Sequence, residues 1–246
     1  MRHFLFHLVL AVFIASLASS CNTNGEYVKH GGTICYSYWT FSFGTIYDTL
    51  PGVDAASFTS IENWLGRDKQ HSYFKGRLIE GAHPASLKAK KYPLSCDNND
   101  YYYMHKPLKV ASVKHFEVIK WNEDDMWAID NRYAYYDSIR IDGADLATFK
   151  IQAHNVATDR NHVYRYGKIM PLADPATYVE QWNGLYSRDK GHIWYCGKLM
   201  EDVDIATFVI DKDGARDKNG HFYRGERVSN EQWKEIATQR SDDEDN

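Results

Sequence analysis

The chain has 246 residues, enough for one large or two ordinary domains. Its net charge of −4 lacks the basic excess that marks a nucleic-acid-binding surface. Six Pro and 16 Gly exclude a low-complexity or collagen-like chain, whereas 18 Tyr, 11 Phe and 7 Trp favour half-buried strands.

Residues 1–20 read as a secretory signal, with Arg2 and His3 leading into the apolar run FLFHLVLAVFIASLASS. The run is short for a membrane span and contains His7; a retained anchor helix is the alternative. Cys21 directly follows Ala18-Ser19-Ser20, which resembles the lipobox of bacterial lipoproteins. That resemblance implies a lipid anchor on Cys21, although Leu17 lies four residues before the Cys where the pattern places Leu three before. Cleavage after Ser20 by an ordinary signal peptidase also fits, since Ala18 and Ser20 are small-x-small. Either route exports the chain to the cell envelope, lipid-anchored to a membrane or periplasmic or secreted. If Cys21 carries lipid, the odd set Cys35, Cys96 and Cys196 remains; otherwise four thiols allow two bridges. No Cys spacing resembles a metal site. Residues 21–32 read as a tether.

A single repeat domain is expected over 33–240. Asp68, Asp97, Asp130, Asp159, Asp189 and Asp217 define a register, with steps of 29, 33, 29, 30 and 28 residues. Five residues after each Asp stands an aromatic: Tyr73, Tyr102, Tyr135, Tyr164, Trp194 or Phe222. Eight after, four units have Gly, and His105 and Ser138 fill the other two. Three further on comes Leu50, Ile79, Leu108, Ile141, Met170, Met200 or Val228. Asp54 and Phe58 define a degenerate first unit with Trp39 at its turn position, so seven units are counted, the first and last atypical. A period of 20 to 50 residues signals a repeat architecture.

Within a unit, the Asp opens a turn by accepting backbone N–H groups two residues on. Gly191, Asn161, Asn219 and Asn99 at the third turn position suit a left-handed backbone; Gln70 and Arg132 there should strain their turns. A strand such as Ile193-Trp194-Tyr195-Cys196 completes a β-hairpin. Asp54, Asp145, Asp174 and Asp204 then sit where a helix cap belongs, with Pro84 and Pro175 at the first helical position, which predicts one helical turn followed by a brief strand. The fold class is therefore mainly β: tandem hairpin repeats of about 29 residues with a short helical turn each, stacked as an elongated solenoid. A β-propeller-like ring is the alternative, but a propeller blade uses four strands and about 40 to 45 residues.

The motifs Asp159-Arg160-Asn161-His162-Val163-Tyr164 and Ala173-Asp174-Pro175-Ala176-Thr177-Tyr178 resemble the DKNYY family of bacterial repeat proteins, as do Asp189–Tyr195 and Asp217–Tyr223. The resemblance runs over about residues 60 to 230. It implies a repeat protein and carries over no catalytic residue.

Neighbouring strand residues face opposite ways. With the first aromatic column inside, the column Phe74, Tyr103, Tyr136, Arg165, Tyr195 and Tyr223 faces away, and Arg165 suggests that it is wet. Phe74, Tyr103, Tyr136, Tyr195 and Tyr223 are therefore candidate partner-binding rings, for an unknown protein or glycan; stacking between repeats is the structural alternative. His71, His162, His192 and His221 recur as turn residues, and Lys69, Arg160, Lys190 and Lys218 are placed to neutralise the adjacent Asp. Asp211-Lys212-Asp213-Gly214 lacks the remaining ligands of a calcium loop. Glu123, Asp124 and Asp125 form an acidic cluster in the longest unit, read as a loop insertion. No catalytic motif, metal site or cofactor is found. The expectation is an exported, membrane-anchored interaction scaffold and no enzyme; the alternative is an exported, for example carbohydrate-active, enzyme with a site between repeats, and a third is a structural spacer. The tail 241–246 reads as acidic and disordered.

Overall fold

The structure is a computed structural model that describes residues 25–122, 125–181, 184–211 and 214–244. The described chain is a succession of seven separate antiparallel sheets, each a meander in chain order. The first is three-stranded: β1 (Glu26–His30), β2 (Thr33–Thr40) and β3 (Gly44–Thr49). The other six are four-stranded and span residues 59–78, 88–107, 117–141, 150–169, 179–199 and 209–228. No sheet closes into a barrel. The chain ends in helix α1 (Asn230–Glu244).

The repeat is thus richer than a hairpin. In the fifth sheet, Val156–Thr158 and Val163–Arg165 form the expected hairpin, Lys150–Ala153 precedes it and Lys168–Ile169 follows it. The brief strand assigned to the end of one unit is the first strand of the next sheet, and the strand after the Gly position was not foreseen. Four strands fit a unit of about 29 residues because each is only two to five residues long. The helical turn is a full 3-10 turn at Pro84–Ser86 and Val113–His115. Elsewhere it is a single closed turn, as where the Thr177 and Tyr178 N–H groups donate to Asp174 O at 3.1 and 3.0 Å.

The residues fall into two compact units, one up to Lys114 with three sheets and one from His115 with four sheets and α1, where one repeat domain over 33–240 was expected. Two end segments also differ from expectation. Within 21–32, Glu26–His30 is strand β1, because Gly31 and Gly32 both have positive φ and form a two-residue hairpin turn instead of a linker. At the other end, α1 runs through Ser241–Glu244, so the acids at 242–244 extend a helix.

No sheet has a core of its own. Ile34, Tyr36 and Leu50 of the first sheet bury Tyr73 of the second. Leu65, Phe74 and Ile79 cluster with Tyr102 of the third. In the other unit, Trp127, Tyr136 and Ile141 close over Tyr164; Val156, Val163 and Met170 over Trp194; and Tyr186, Ile193 and Met200 over Phe222. Each cluster draws on two successive sheets. A fully buried large side chain contributes roughly 1.5–3 kcal/mol, so stability resides in the interfaces between neighbours.

Candidate functional site

The register Asp of every four-stranded sheet is buried, 3 to 9% exposed. In the fifth sheet, Asp159 Oδ1 accepts the backbone N–H groups of Asn161 and His162, both at 2.7 Å. Its Oδ2 accepts the Tyr164 hydroxyl at 2.7 Å and the N–H of Asp145, in the turn that precedes the sheet, at 2.9 Å. Asp68 and Asp97 repeat the pattern with Tyr73 and Tyr102. Burial alone would raise these carboxyls, but the converging N–H and hydroxyl donors outweigh it and hold Asp68, Asp97 and Asp159 below the usual carboxylate range. At the last sheet Phe222 offers no hydroxyl. There the Arg227 guanidinium takes its place at 3.1 and 2.9 Å and, against burial, holds Asp217 well below that range.

A second staple runs alongside. Asp145 accepts the Thr148 hydroxyl, and Thr148 Oγ1 accepts the N–H of Arg160, the residue after the next register Asp. Ser57, Thr177 and Thr207 do the same for Lys69, Lys190 and Lys218. The basic residue at that position reaches back to the acid of the preceding turn: Lys69 to Asp54, Arg160 to Asp145, Lys190 to Asp174 and Lys218 to Asp204. These cations were expected to neutralise the adjacent register Asp. Backbone donors already satisfy that carboxylate, so the cations pair with the half-buried acid of the preceding turn instead.

The turn after the Asp needs no left-handed residue: φ is not positive at Gln70, Asn99, Arg132, Asn161, Gly191 or Asn219. Asp Oδ1 pins that backbone, so Gln70 and Arg132 fit without strain. The left-handed pair lies at the next hairpin, at Lys75-Gly76, Tyr166-Gly167, Cys196-Gly197 and Arg224-Gly225. A Cβ at Gly167 would stand 2.8 Å from Tyr136 Cβ, and one at Gly225 would stand 2.5 Å from Tyr195 Cβ. Gly therefore lets the outward ring of one sheet lie against the hairpin of the next.

These hairpins border a cleft in each unit. One, of about 420 Å³, is lined by Tyr36, Tyr38, Phe74, Lys75, Tyr92 and Met104. The other, of about 450 Å³, is lined by Tyr136, Arg165, Tyr166, Lys168, Ile169 and Cys196. Both run across hairpins of successive sheets. Tyr92, Met104, Tyr166 and Ile169 are exposed on the rims. Lys75 Nζ lies 5.0 Å from the Tyr92 ring centroid, and Arg165 Cζ 5.6 Å from that of Tyr166.

The family model for the DKNYY family matches residues 20–106 and again 107–195. The chain belongs to the DKNYY family. No curated protein and no solved structure matches it. Each family match takes in about three sheets, so the DKNYY module is itself a group of smaller repeats. The repeat motif acquires physical meaning here: the Asp is the buried acceptor, the basic residue after it ties back to the preceding turn, and the Tyr five residues on donates its hydroxyl to the Asp. The resemblance over about 60–230 shifts toward the N-terminus, leaving the seventh sheet and α1 outside the matched residues.

The predicted binding rings do not form an open ladder. Phe74, Tyr103 and Tyr136 are 4, 7 and 6% exposed, and Tyr195 and Tyr223 are half-buried. Phe74 and Tyr136 contribute to the two clefts from below. Arg165 was taken as a sign of a wet column, but its side chain is only 9% exposed. It donates to Glu180 Oε1 at 2.8 Å and to Gly184 O at 2.7 Å, so an ion pair occupies the place of a ring. The exposed rim of the clefts was missed because Tyr92 belongs to no regular column and Tyr166 stands in one, the residue before the Gly position, whose side chains share no type: Lys75, Met104, Asp137, Cys196 and Arg224 are its counterparts.

Asp125 is the described member of the acidic cluster; Glu123 and Asp124 lie outside the described residues. Asp125 is buried and accepts from His154 Nε2 at 2.8 Å and the Tyr136 hydroxyl at 3.0 Å, and Asn122 Nδ2 also donates to it. This differs from a solvated insertion: it is a polar knot joining two sheets. The turn histidines His71, His162 and His192 are half-buried and lie 3.3–3.7 Å from their register Asp. His221 instead stacks on Trp233 of α1, with ring centroids 4.4 Å apart. Cys35, Cys96 and Cys196 are free thiols; Cys21, Lys212 and Asp213 lie outside the described residues. Among the described residues, no three His, Cys, Asp or Glu are grouped to hold a metal, and no helix is long and apolar enough to cross a membrane.

Proposed function

We propose that this DKNYY-family protein is an exported, membrane-anchored interaction scaffold that holds a protein or glycan partner in the hairpin clefts. The carrying observation is that both compact units have a cleft at the same place in the repeat, with exposed aromatic or apolar side chains on its rim and a cation beside a ring. Tyr offers large contact area at low entropy cost, which suits such a rim. The apolar run before Cys21 supports export, with Cys21 as the lipid-bearing residue.

The test separates the rim from the buried column. Photo-crosslinking residues at Tyr92 and Tyr166 in cells should capture a common partner, and one at exposed Lys150 should not. Tyr92→Ala and Tyr166→Ala should abolish capture at unchanged melting temperature. Equal capture from Lys150 would sink the reading. Mass spectrometry of the mature N-terminus tests the anchor: acyl chains on Cys21 support it, and a free amine there opposes it.

A second reading, an exported enzyme, has one observation in its favour, the Asp125–His154 pair at 2.8 Å with half-exposed His154. Activity against polysaccharides that is lost on His154→Ala but kept on Tyr166→Ala would select it.

A further inference from the structure

The largest exposed aromatic group in the described chain belongs to neither cleft. It sits at the tip of the β2–β3 hairpin, where the sequence reads Trp39-Thr40-Phe41-Ser42-Phe43. Phe41 is 97% exposed, Phe43 81% and Trp39 54%. Trp39 and Phe41 meet edge to face at 4.7 Å between centroids. Isolated exposed apolar residues are ordinary, but three large ones on one tip mark a contact surface.

The tip is built to stay in shape. Thr40 pairs with Gly44 across a three-residue loop, and Gly44 takes φ +69°. Thr40 Oγ1 accepts the Phe43 N–H at 3.2 Å and donates to Gly44 O at 3.4 Å. Little conformational entropy is left to lose when these rings dock. No charged residue lies between Trp39 and Tyr47, so the tip carries no charge into a neighbour.

Register shows where it points. β1 runs antiparallel to β2, with Glu26 opposite Ser37 and His30 opposite Thr33. The chain therefore enters β1 at the sheet end from which β2 continues to Phe41, and Gly31-Gly32 turns at the opposite end. Phe41 stands four residues beyond Ser37, about 13 Å at strand rise. Cys21 precedes Glu26 by five residues, a reach of at most about 17 Å. An anchor at Cys21, or in the apolar run before it, thus holds the bilayer within reach of this end of the sheet. Aromatic side chains settle at the membrane–water interface, where an apolar ring can leave water beside polar headgroups.

We propose that Trp39, Phe41 and Phe43 form a membrane-interface contact that seats the first sheet on the bilayer to which the N-terminus is tethered. This rests on the anchored reading above. A tether alone leaves the repeats free to swing; a second contact on the same side fixes the first sheet against the surface.

The experiment uses the full chain, purified from membranes and reconstituted in phosphatidylcholine vesicles containing nitroxide-labelled lipid. A fluorescent amino acid is placed at Ser42, with a control at Lys29 near the opposite end of the sheet. Quenching at position 42 several-fold above that at 29, lost on Phe41→Ser with Phe43→Ser while the chain still floats with the vesicles, is the expected result. A chain that floats with the vesicles but shows equal quenching at both positions overturns the contact and leaves the tether intact. A position-42 signal that instead follows protein concentration, with a doubled sedimenting mass, assigns the tip to a second copy. A chain that does not float removes tether and contact together.

Discussion

The first and fifth sheets are both antiparallel meanders, yet only the fifth turns on a buried carboxylate. There Asp159 gathers four donors, and the hairpin between Val156–Thr158 and Val163–Arg165 is short and closed. In the first sheet the matching hairpin lies between β1 and β2, and it turns on Gly31-Gly32, both with positive φ, not at Trp39 as the sequence spacing suggested. β2 runs on for eight residues, and the tip beyond it exposes Phe41 and Phe43. The β2–β3 hairpin corresponds to the one at Tyr166-Gly167, and it is this hairpin that is lengthened into open rings. The Asp is thus a device for tying its turn to the segment before the sheet, which the glycine turn of the first sheet does without.

Removing the device should have the largest effect. Asp159→Ala strands four donors around a buried site, and at about 1–3 kcal/mol for each buried group left unpaired, some of which water will reach, the loss should be about 3–5 kcal/mol. Urea unfolding of the full chain measures it; a loss under about 1 kcal/mol would mean that the network is incidental.

Acid should act on every such site at once. Asp68, Asp97, Asp159, Asp189 and Asp217 all have folded values below the ordinary one, and so has the turn acid Asp54, held at about 2 by Lys69 and Ser57. Their contribution is fully present above the unfolded value, near about 4, and is lost as pH falls through the folded values. Asp100, raised by burial, works in the opposite direction. Melting temperature should therefore be flat down to about pH 4 and fall steeply below it. A fall already under way between pH 7 and pH 5 would contradict the Asp network as the acid-labile element.

The Gly position sharpens the contrast between contact and conformation. Gly167→Ala adds a Cβ against Tyr136 at φ +71° and should cost about 1–3 kcal/mol. Gly81 has a similar φ of +75° but nothing within 4 Å, so Gly81→Ala should cost less, about 1 kcal/mol. Equal losses in thermal melts would remove the steric part. The smallest effect belongs to the first sheet: Phe41→Ser with Phe43→Ser should shift stability by no more than about 0.5 kcal/mol, because both rings are already in water.

Much of this pattern was legible in the sequence because identical physics recurs every 29 residues or so. The aromatic column Tyr73, Tyr102, Tyr135, Tyr164, Trp194 and Phe222 is buried as expected, and so are Leu50, Ile79, Leu108, Ile141, Met170 and Met200 three residues after the Gly position. Strands of two residues, such as Lys168–Ile169, carry too few positions for alternation to show. The outward rings deceived for a different reason. Alternation tells which face of its own sheet a residue takes, but not that the next sheet covers that face, as the hairpin at Gly167 covers Tyr136. The cleft rims were illegible because Tyr92 and Tyr166 are brought together with the column residues by stacking of sheets, not by spacing in the chain.

Hydrogen exchange at the turn amides tests the buried Asp most directly. The N–H groups of Asn161, His162, Gly191 and His192 lie in turns between strands, where exchange would ordinarily be fast. Donated to Asp159 and Asp189, they should exchange as slowly as the core-strand amides of Tyr164 and Trp194. Exchange at the rate of the exposed β2–β3 tip would show that the carboxylates do not hold these turns.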